Sequence, residues 1–449
     1  MTSTPIPAIS TPTGTTPAPA HPTSGPVRVA ETQLVLQTYG YEAAFQKTEP
    51  DDPVYPYPRL DPDKVTSPQP RSYRAIVLEN NYVSLTILPE LGGRIYRWVD
   101  KATGRRLLYE NPVVKPTGWG YRGWWLAAGG IEWAFPVEEH GLNEWRPWSY
   151  EVRTLGDGIA VVVSDVEERT GMTVGVEISL DSSHKYVTLS PWVRNTTDVA
   201  QEFQYWLNAM ITLGNNRVAD GTHLILPTDE VIVHSTGDNS LPGEWQPLTW
   251  PIYEGRDLSY YGSWESYLGF FAPKVTEGFV AIYDMEADQG IVRSFTPGWP
   301  IGTKFFGPGS LPSGLWTDDD STYVELWSGV TPTFADTAKL AAGDSLGWTE
   351  RWYPVHDLGG ITTANAEAAL NVKATERGAK IGCAVTAPTR GNLTLWVNGE
   401  PIEIWNISLT PLEALAITWT RPHGVVGDVS LTLTDANGER LAEVGPVSD

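Results

Sequence analysis

The chain of 449 residues is almost without cysteine, Cys383 being its one thiol. A single thiol excludes an intrachain disulfide and a cysteine-based metal cluster, and its expected state is a buried, inert side chain. Positive charge is also scarce. Lys and Arg number 31 against 54 Asp and Glu, which gives a net charge of −23. A surface of that sign repels nucleic-acid phosphates and anionic lipid, so neither is expected as a partner. No apolar run reaches the length that crosses a bilayer as a helix. Helical periodicity is missing over any long window, and "TFADTAKLA" (residues 333–341) offers one or two turns at most. A phosphate loop, a dinucleotide fingerprint, an HExxH pair and a nucleophile elbow are all lacking. No cofactor and no metal are expected. "TDDDST" (residues 317–322) clusters carboxylates that could meet Ca²⁺, but it lacks the spaced order of a calcium loop and reads as an acidic turn.

Phenylalanine is sparse at 10, against 20 Trp and 19 Tyr. Trp and Tyr pair a flat apolar face with a polar edge, which suits a sugar ring that stacks through C–H and hydrogen-bonds through hydroxyls. The same residues also fill the cores of large β proteins, so composition alone leaves both readings open.

Residues 1–27 are Thr, Ser, Pro, Ala and Gly with few large apolar side chains, and are expected to form a flexible tether. They lack the basic and apolar regions of a signal peptide. Their texture suits a spacer before an exported domain, so an extracellular or cell-surface location is expected, with the cytoplasm still open. From there on, short β-branched runs alternate with Gly, Asn and Asp turns, as in "YRAIVLENNYVSLTILPELGG", "IAVVVSDVEE" and "KYVTLSPWVRN". This pattern predicts an all-β protein of packed antiparallel sheets. A boundary falls in "RWYPVHDLGGITTAN" (residues 351–365). It separates a large domain, residues 28–357, from residues 358–449, whose strands at ten- to fifteen-residue intervals fit a small Ig-like β-sandwich. That last module reads as a spacer or as a carbohydrate-binding unit.

The chemistry concentrates in "WGYRGWWLAAGGIEWAFPVEEHGLNEWRPW" (residues 119–148), which holds six Trp, several carboxylates and one His. Strand alternation sets Glu132 on the face opposite Ile131 and Trp133, pointing into a cleft. Its apolar neighbours would otherwise desolvate it and raise its pKa towards general-acid use. His140 follows across a turn and titrates near neutrality. Trp124, Trp125 and Trp133 are candidate stacking surfaces. "FQYWLNAMITLGNNRV" (residues 203–218) adds Trp206, Asn208 and Arg217, and "PGWPIGTKFFGPG" (residues 297–309) adds Trp299 and Lys304, as further stacking and hydroxyl-binding candidates.

Four stretches resemble one family of the galactose-mutarotase-like superfamily, whose fold is a large antiparallel β-supersandwich. They are "VLENNYVSLTILPELGGRIYRWVDKATGRRLLYENP" (77–112), "RGWWLAAGGIEWAFP" (122–136), "YVELWSG" (323–329) and "LGWTERWYPV" (346–355), spanning a core of residues 71–355. The resemblance implies a saccharide substrate or ligand and places Arg94 at the edge of the cleft, as a hydroxyl donor or an ion-pair former. It also implies a general-base role for Glu325, since superfamily epimerases carry a Glu in a comparable late strand. Those enzymes use two catalytic histidines, and here only His140 and His234 lie in suitable positions. His184, His223 and His356 fall in a turn, at a strand start and at the domain junction.

The leading expectation is a glycoside hydrolase with Glu132 and Glu325 as acid and base, assisted by His140 or His234. Retaining enzymes hold such carboxyls roughly 5 Å apart and inverting ones roughly 6.5–9.5 Å. The first alternative is an aldose or sugar-phosphate epimerase working through a His/Glu pair. The second is a glycan-binding protein without catalysis.

Overall fold

The computed structural model describes residues 26–448. Up to residue 25, the segment read as a tether lies outside the described residues. Among the described residues the regular structure is β, with four three-residue 3-10 turns, and no helix is long and apolar enough to cross a membrane. Residues 333–341 do not form the helical turn or two expected of them. The Asp336 carboxylate accepts hydrogen bonds from the backbone N–H and Oγ1 of Thr333, which closes a turn instead. The strand Ala338–Leu340 then pairs with Gln201–Phe203.

A thirteen-stranded and a nine-stranded sheet dominate, and two four-stranded sheets follow. Pairing is antiparallel throughout the large sheets except where Arg28–Gly40 runs parallel to Glu110–Thr117. Alternation along each strand builds the layers. In Phe279–Asp284 of the nine-stranded sheet, Val280 and Ile282 join the main core between the large sheets. Phe279, Ala281 and Tyr283 face the other way, against Leu358, Ala369 and Ala384 of the C-terminal sandwich. The buried Lys185 ammonium adds a hydrogen bond to Pro411 O (3.0 Å) across that contact. The last strand of the large domain, Glu350–His356, ends shortly before the first of the sandwich, Thr363–Ala364. The order of layers is therefore sandwich, nine-stranded sheet, thirteen-stranded sheet, and the outer face of the last stays clear of the C-terminal module.

The two big sheets are also tied through one buried guanidinium. Arg293, fully buried, donates to Glu350 Oε1 (3.0 Å), Ser328 Oγ (3.0 Å) and Thr303 Oγ1 (3.0 Å). Glu350 further accepts from the indoles of Trp348 and Trp352, each at 2.8 Å. A buried pair with this many partners fixes geometry more than it adds stability.

The Gly129–Gly130 step shows why glycine is required there. Both residues have φ near +80°. A Cβ on Gly129 would lie 2.3 Å from Tyr109 O, and one on Gly130 2.3 Å from Ile95 O. The backbone can cross between its neighbours only without side chains. The crossing lets Trp125–Gly129 and Ile131–Ala134 belong to different parts of one sheet.

Candidate functional site

The site is a row of side chains across the outer face of the thirteen-stranded sheet. Ile131–Ala134 pairs with Trp206–Ile211, which pairs in turn with Val324–Gly329, Gly302–Gly307 and Leu268–Phe271. The register sets Glu132 opposite Asn208, Asn208 opposite Trp327, Trp327 opposite Lys304, and Lys304 opposite Phe271. Their chain neighbours Ile131, Trp133, Leu207, Leu326, Phe305 and Phe270 lie in the core, so period-two alternation turns this row outward. Glu325, two residues before Trp327, shares its face. His234 joins by a different route. Val233 pairs with Phe270 and Ser235 with Gly269, leaving His234 as the extra residue of a bulge. Its ring meets those of Phe271 and Phe334 at 5.2 and 5.3 Å.

His140 comes from the loop after Ile131–Ala134. The loop is held by a hydrogen bond from Leu142 N to Phe135 O (2.9 Å) and by the buried, bidentate Arg122–Glu144 pair. The imidazole stacks on Trp125 with centroids 3.9 Å apart, and its Nδ1 lies 2.6 Å from Glu132 Oε1. Trp125 Nε1 donates to Glu132 Oε2 (3.1 Å), and Arg94 Nη2 stands 3.5 Å from the same oxygen. The Asn208 amide nitrogen donates to Glu132 Oε1 (3.2 Å) and to Glu325 Oε1 (3.3 Å). Trp327 Nε1 donates to Glu325 Oε2 (2.8 Å), and Lys304 Nζ is 3.9 Å from that oxygen and 4.5 Å from the Trp327 ring centre.

These contacts sort the charges. Burial alone would raise the Glu132 carboxyl, but His140, Arg94 and Trp125 hold it below its ordinary value. Burial would lower His140, yet Glu132 and then Glu325 raise it, so each partner of the pair favours the charged form of the other. Burial raises Glu325, with Lys304 and His140 opposing. Burial brings Lys304 down to about 8 despite Glu325. Burial and then Lys304 push His234 down to about 3, which keeps it neutral.

A cavity of about 430 Å³ opens over this row. His140, Glu325, Lys304, His234 and Trp125 line it; Glu132 and Asn208 stand behind as supports. Arg94 does not reach the cleft edge. Fully buried, it donates to Leu91 O (3.0 Å) and Gly129 O (3.0 Å) while facing Glu132 from behind. The expected stacking residues separate likewise. The alternation that turns Glu132 outward sends Trp133 into the core, where its indole donates to Gly93 O (3.2 Å). Trp124 packs with Tyr41, Phe45 and Trp145. Trp206 is on the site face but lies buried beside Phe334 and donates to Gln204 Oε1 (3.1 Å). Trp299 donates to Gly347 O (3.3 Å), and Arg217 sits exposed near Asp319, both away from the lining. Asp319 itself accepts from Ser321 and Thr317, consistent with an acidic turn. Among the described residues, no group of three or more His, Cys, Asp or Glu stands where it could hold a metal.

The lining also contains residues that sequence reasoning passed over. Trp327 and Tyr323 flank Glu325 at two-residue spacing, and Phe306 does the same for Lys304, so alternation alone pointed to them. Trp119, Trp245 and Glu139 come from loops and had no such signal.

This arrangement defines an all-β supersandwich whose outer sheet face carries a buried His140–Glu132 pair and the Glu325 carboxylate at a cavity. The chain belongs to the family described as domain of unknown function DUF5107, whose model matches residues 49–355. Residues 363–443 match the second domain of YphG-like proteins. Among solved structures, the chain is similar to a TPR-domain containing protein from Parabacteroides distasonis, with 25% identity and a TM-score of 0.65. That match covers 73% of this chain and 55% of the other, so the chain spans about half the length of that protein. It also resembles the Slr1438 protein of Synechocystis (14% identity, TM-score 0.48) and a galactose mutarotase-like protein of Clostridium acetobutylicum (12%, TM-score 0.46). Each of these two covers 63% of this chain and 96% of the other.

Proposed function

We propose that the cavity binds a sugar and exchanges protons at its anomeric centre in the manner of an aldose epimerase, with His140 as acid and Glu325 as base. One observation carries the reading: Glu132 is turned into His140 and stands behind the lining, so at the site row the cavity meets the His140 ring and the Glu325 carboxylate rather than a Glu132–Glu325 carboxyl pair. Glu325 takes the proton of the C1 hydroxyl while the C1–O5 bond breaks, and His140 gives its proton to O5. The open-chain carbonyl turns about C1–C2. Reversing both transfers closes the ring on its other face, so no proton is gained or lost overall. Glu132 acts as a positioning residue that keeps His140 charged and fixes its Nδ1. The similarity of the core motifs to the galactose-mutarotase-like superfamily supports the same reading.

Glycoside hydrolysis is the second reading. It is favoured by the raised Glu325 carboxyl and by the Asn208 amide that bridges both carboxylates. The two are separated by incubating glucose, galactose and their oligosaccharides with the protein. Polarimetry follows anomer interconversion, and chromatography follows chain length. The epimerase reading expects faster interconversion at constant chain length, with Glu325→Gln losing about 10²–10⁴-fold. Shortened products with no effect on optical rotation of the free sugars would favour hydrolysis. Binding without either product would leave only recognition.

A further inference from the structure

Trp245 is at odds with the packing of the molecule in two ways. Its side chain is 47% exposed although it is one of the largest apolar groups in the chain. Its backbone is left-handed, with φ +65°, a region that bulky side chains rarely occupy. That conformation is held by hydrogen bonds from Trp245 N to Val233 O (2.7 Å), Gln246 N to Gly243 O (3.1 Å) and Val233 N to Gln246 O (3.0 Å). The indole also lies nearly parallel to the Phe271 ring, centroids 5.8 Å apart and planes 16° apart. One face is therefore supported by the site row, and the residue stays open to the cavity that it lines.

A packing role explains neither the exposure nor the backbone shape. Glycine or asparagine would take the same backbone shape without strain, and an apolar ring serving stability would be driven inward. A flat, supported and exposed indole is instead a surface on which a sugar ring stacks through its C–H face. Glu244, adjacent in the chain, lines the same end of the cavity and offers hydroxyl acceptors. His140 and Trp125 come from the other end of the row, so the volume of about 430 Å³ runs from the acid–base couple to the indole. That is more space than one ring fills.

We propose that the preferred ligand is a reducing oligosaccharide, its terminal ring between His140 and Glu325 and its next ring stacked on Trp245. This rests on the reading of the cavity as a sugar site. The test is isothermal titration with glucose, galactose and the two- and three-ring cello-, malto- and galacto-oligosaccharides, using wild type, Trp245→Phe, Trp245→Ala and Trp245→Gly. In the wild type, at least one oligosaccharide is expected to bind roughly three- to tenfold more tightly than its own monosaccharide. Trp245→Ala brings that ratio to about one, while Trp245→Phe keeps most of it. Trp245→Gly melts no lower than the wild type, because glycine relieves the strain, and it still loses the ratio. Equal affinity for long and short sugars in the wild type, or a ratio that survives in Trp245→Ala, overturns the proposal and spares the function. If no sugar of any length binds or is turned over, the function proposed for the cavity falls, and this inference with it.

Discussion

Replacing Glu132 by Gln keeps the shape of the side chain and removes one charge, so it isolates what that charge does to His140. In the wild type the two groups touch at 2.6 Å inside the protein. Two unit charges about 4 Å apart attract by about 4 kcal/mol at an effective dielectric of about 20, and Glu132 together with the weaker pull of Glu325 leaves the imidazole above its ordinary value despite burial. With Gln in place, Glu325 is the main remaining carboxylate acting on His140, and burial, the largest effect on the ring, lowers its pKa. On the proposed mechanism the basic limb of the rate profile reports loss of the His140 proton, and it then moves to lower pH. The acidic limb, set by Glu325, moves the same way but less, because Glu132 is only a minor cause of its elevation. The window between the limbs narrows, and turnover at neutral pH falls by about 10²–10⁴-fold, the usual contribution of a general acid. Stability follows by linkage. The folded His140 value is raised above 6.5, so its contribution is complete below 6.5 and is lost as pH rises through the folded value. The folded Glu132 value is depressed below 4.5, so its contribution is present above 4.5 and is lost as pH falls through the folded value. Wild-type melting should be highest between those limits and flatten in the variant, which also leaves the buried Arg94 without its carboxylate and loses roughly 3–5 kcal/mol. NMR titration of the His140 ring, with melting followed over the same pH range, measures both effects. A ring that titrates at the wild-type pH or higher in Glu132→Gln would refute the argument.

Two further perturbations test the rest of the site. Lys304→Met removes the leading group that opposes the rise of the Glu325 pKa, so the acidic limb of the rate profile should shift upward, as a kcat–pH series would show. An unmoved or lowered limb would mean that the ammonium does not act on Glu325. Arg293→Met leaves Glu350 charged and buried with its indole and hydroxyl donors only. The expected loss is about 3–5 kcal/mol in urea unfolding, and a loss below about 1 kcal/mol would mean that the pair is not held as described.

Much of the fold was legible because β alternation leaves a direct trace in the chain. The outward turn of Glu132 follows from its apolar neighbours, and the same logic, carried one residue further, would have put Trp133 in the core rather than at the sugar. Density of Trp was the weaker guide. Adjacent Trp124 and Trp125 take opposite faces, one in a cluster with Tyr41 and Phe45, the other under His140. What the chain could not show was register. Nothing in "YVELWSG" or "FQYWLNAMI" says that Asn208 will stand between Glu132 and Trp327, because that depends on pairing between segments far apart in the chain. Arg94 was misplaced for a related reason. Its strand position was legible, but of the carbonyls that draw its guanidinium inward only that of Leu91 lies in its own turn, and that of Gly129 comes from a glycine crossing visible only in three dimensions. His234 depends on one extra residue in its strand, a bulge without a compositional signature.

The site row and the buried Arg293–Glu350 pair share two strands, and this links core to chemistry. Thr303 and Ser328 accept from Arg293 on the inner face, while their chain neighbours Lys304 and Trp327 stand on the outer face around Glu325. Rotation or sliding of either strand would move an inner and an outer residue together, since successive side chains share one backbone. The position of Lys304 relative to Glu325 is thus imposed from beneath the sheet rather than by contacts in the cavity. His140 is held differently. It is carried by a loop, and its place depends on the Arg122–Glu144 clamp and on the Trp125 surface. Of the two groups proposed to transfer protons, Glu325 lies on a strand whose neighbours are tied to the core through Arg293, and His140 lies on a loop held by the Arg122–Glu144 clamp.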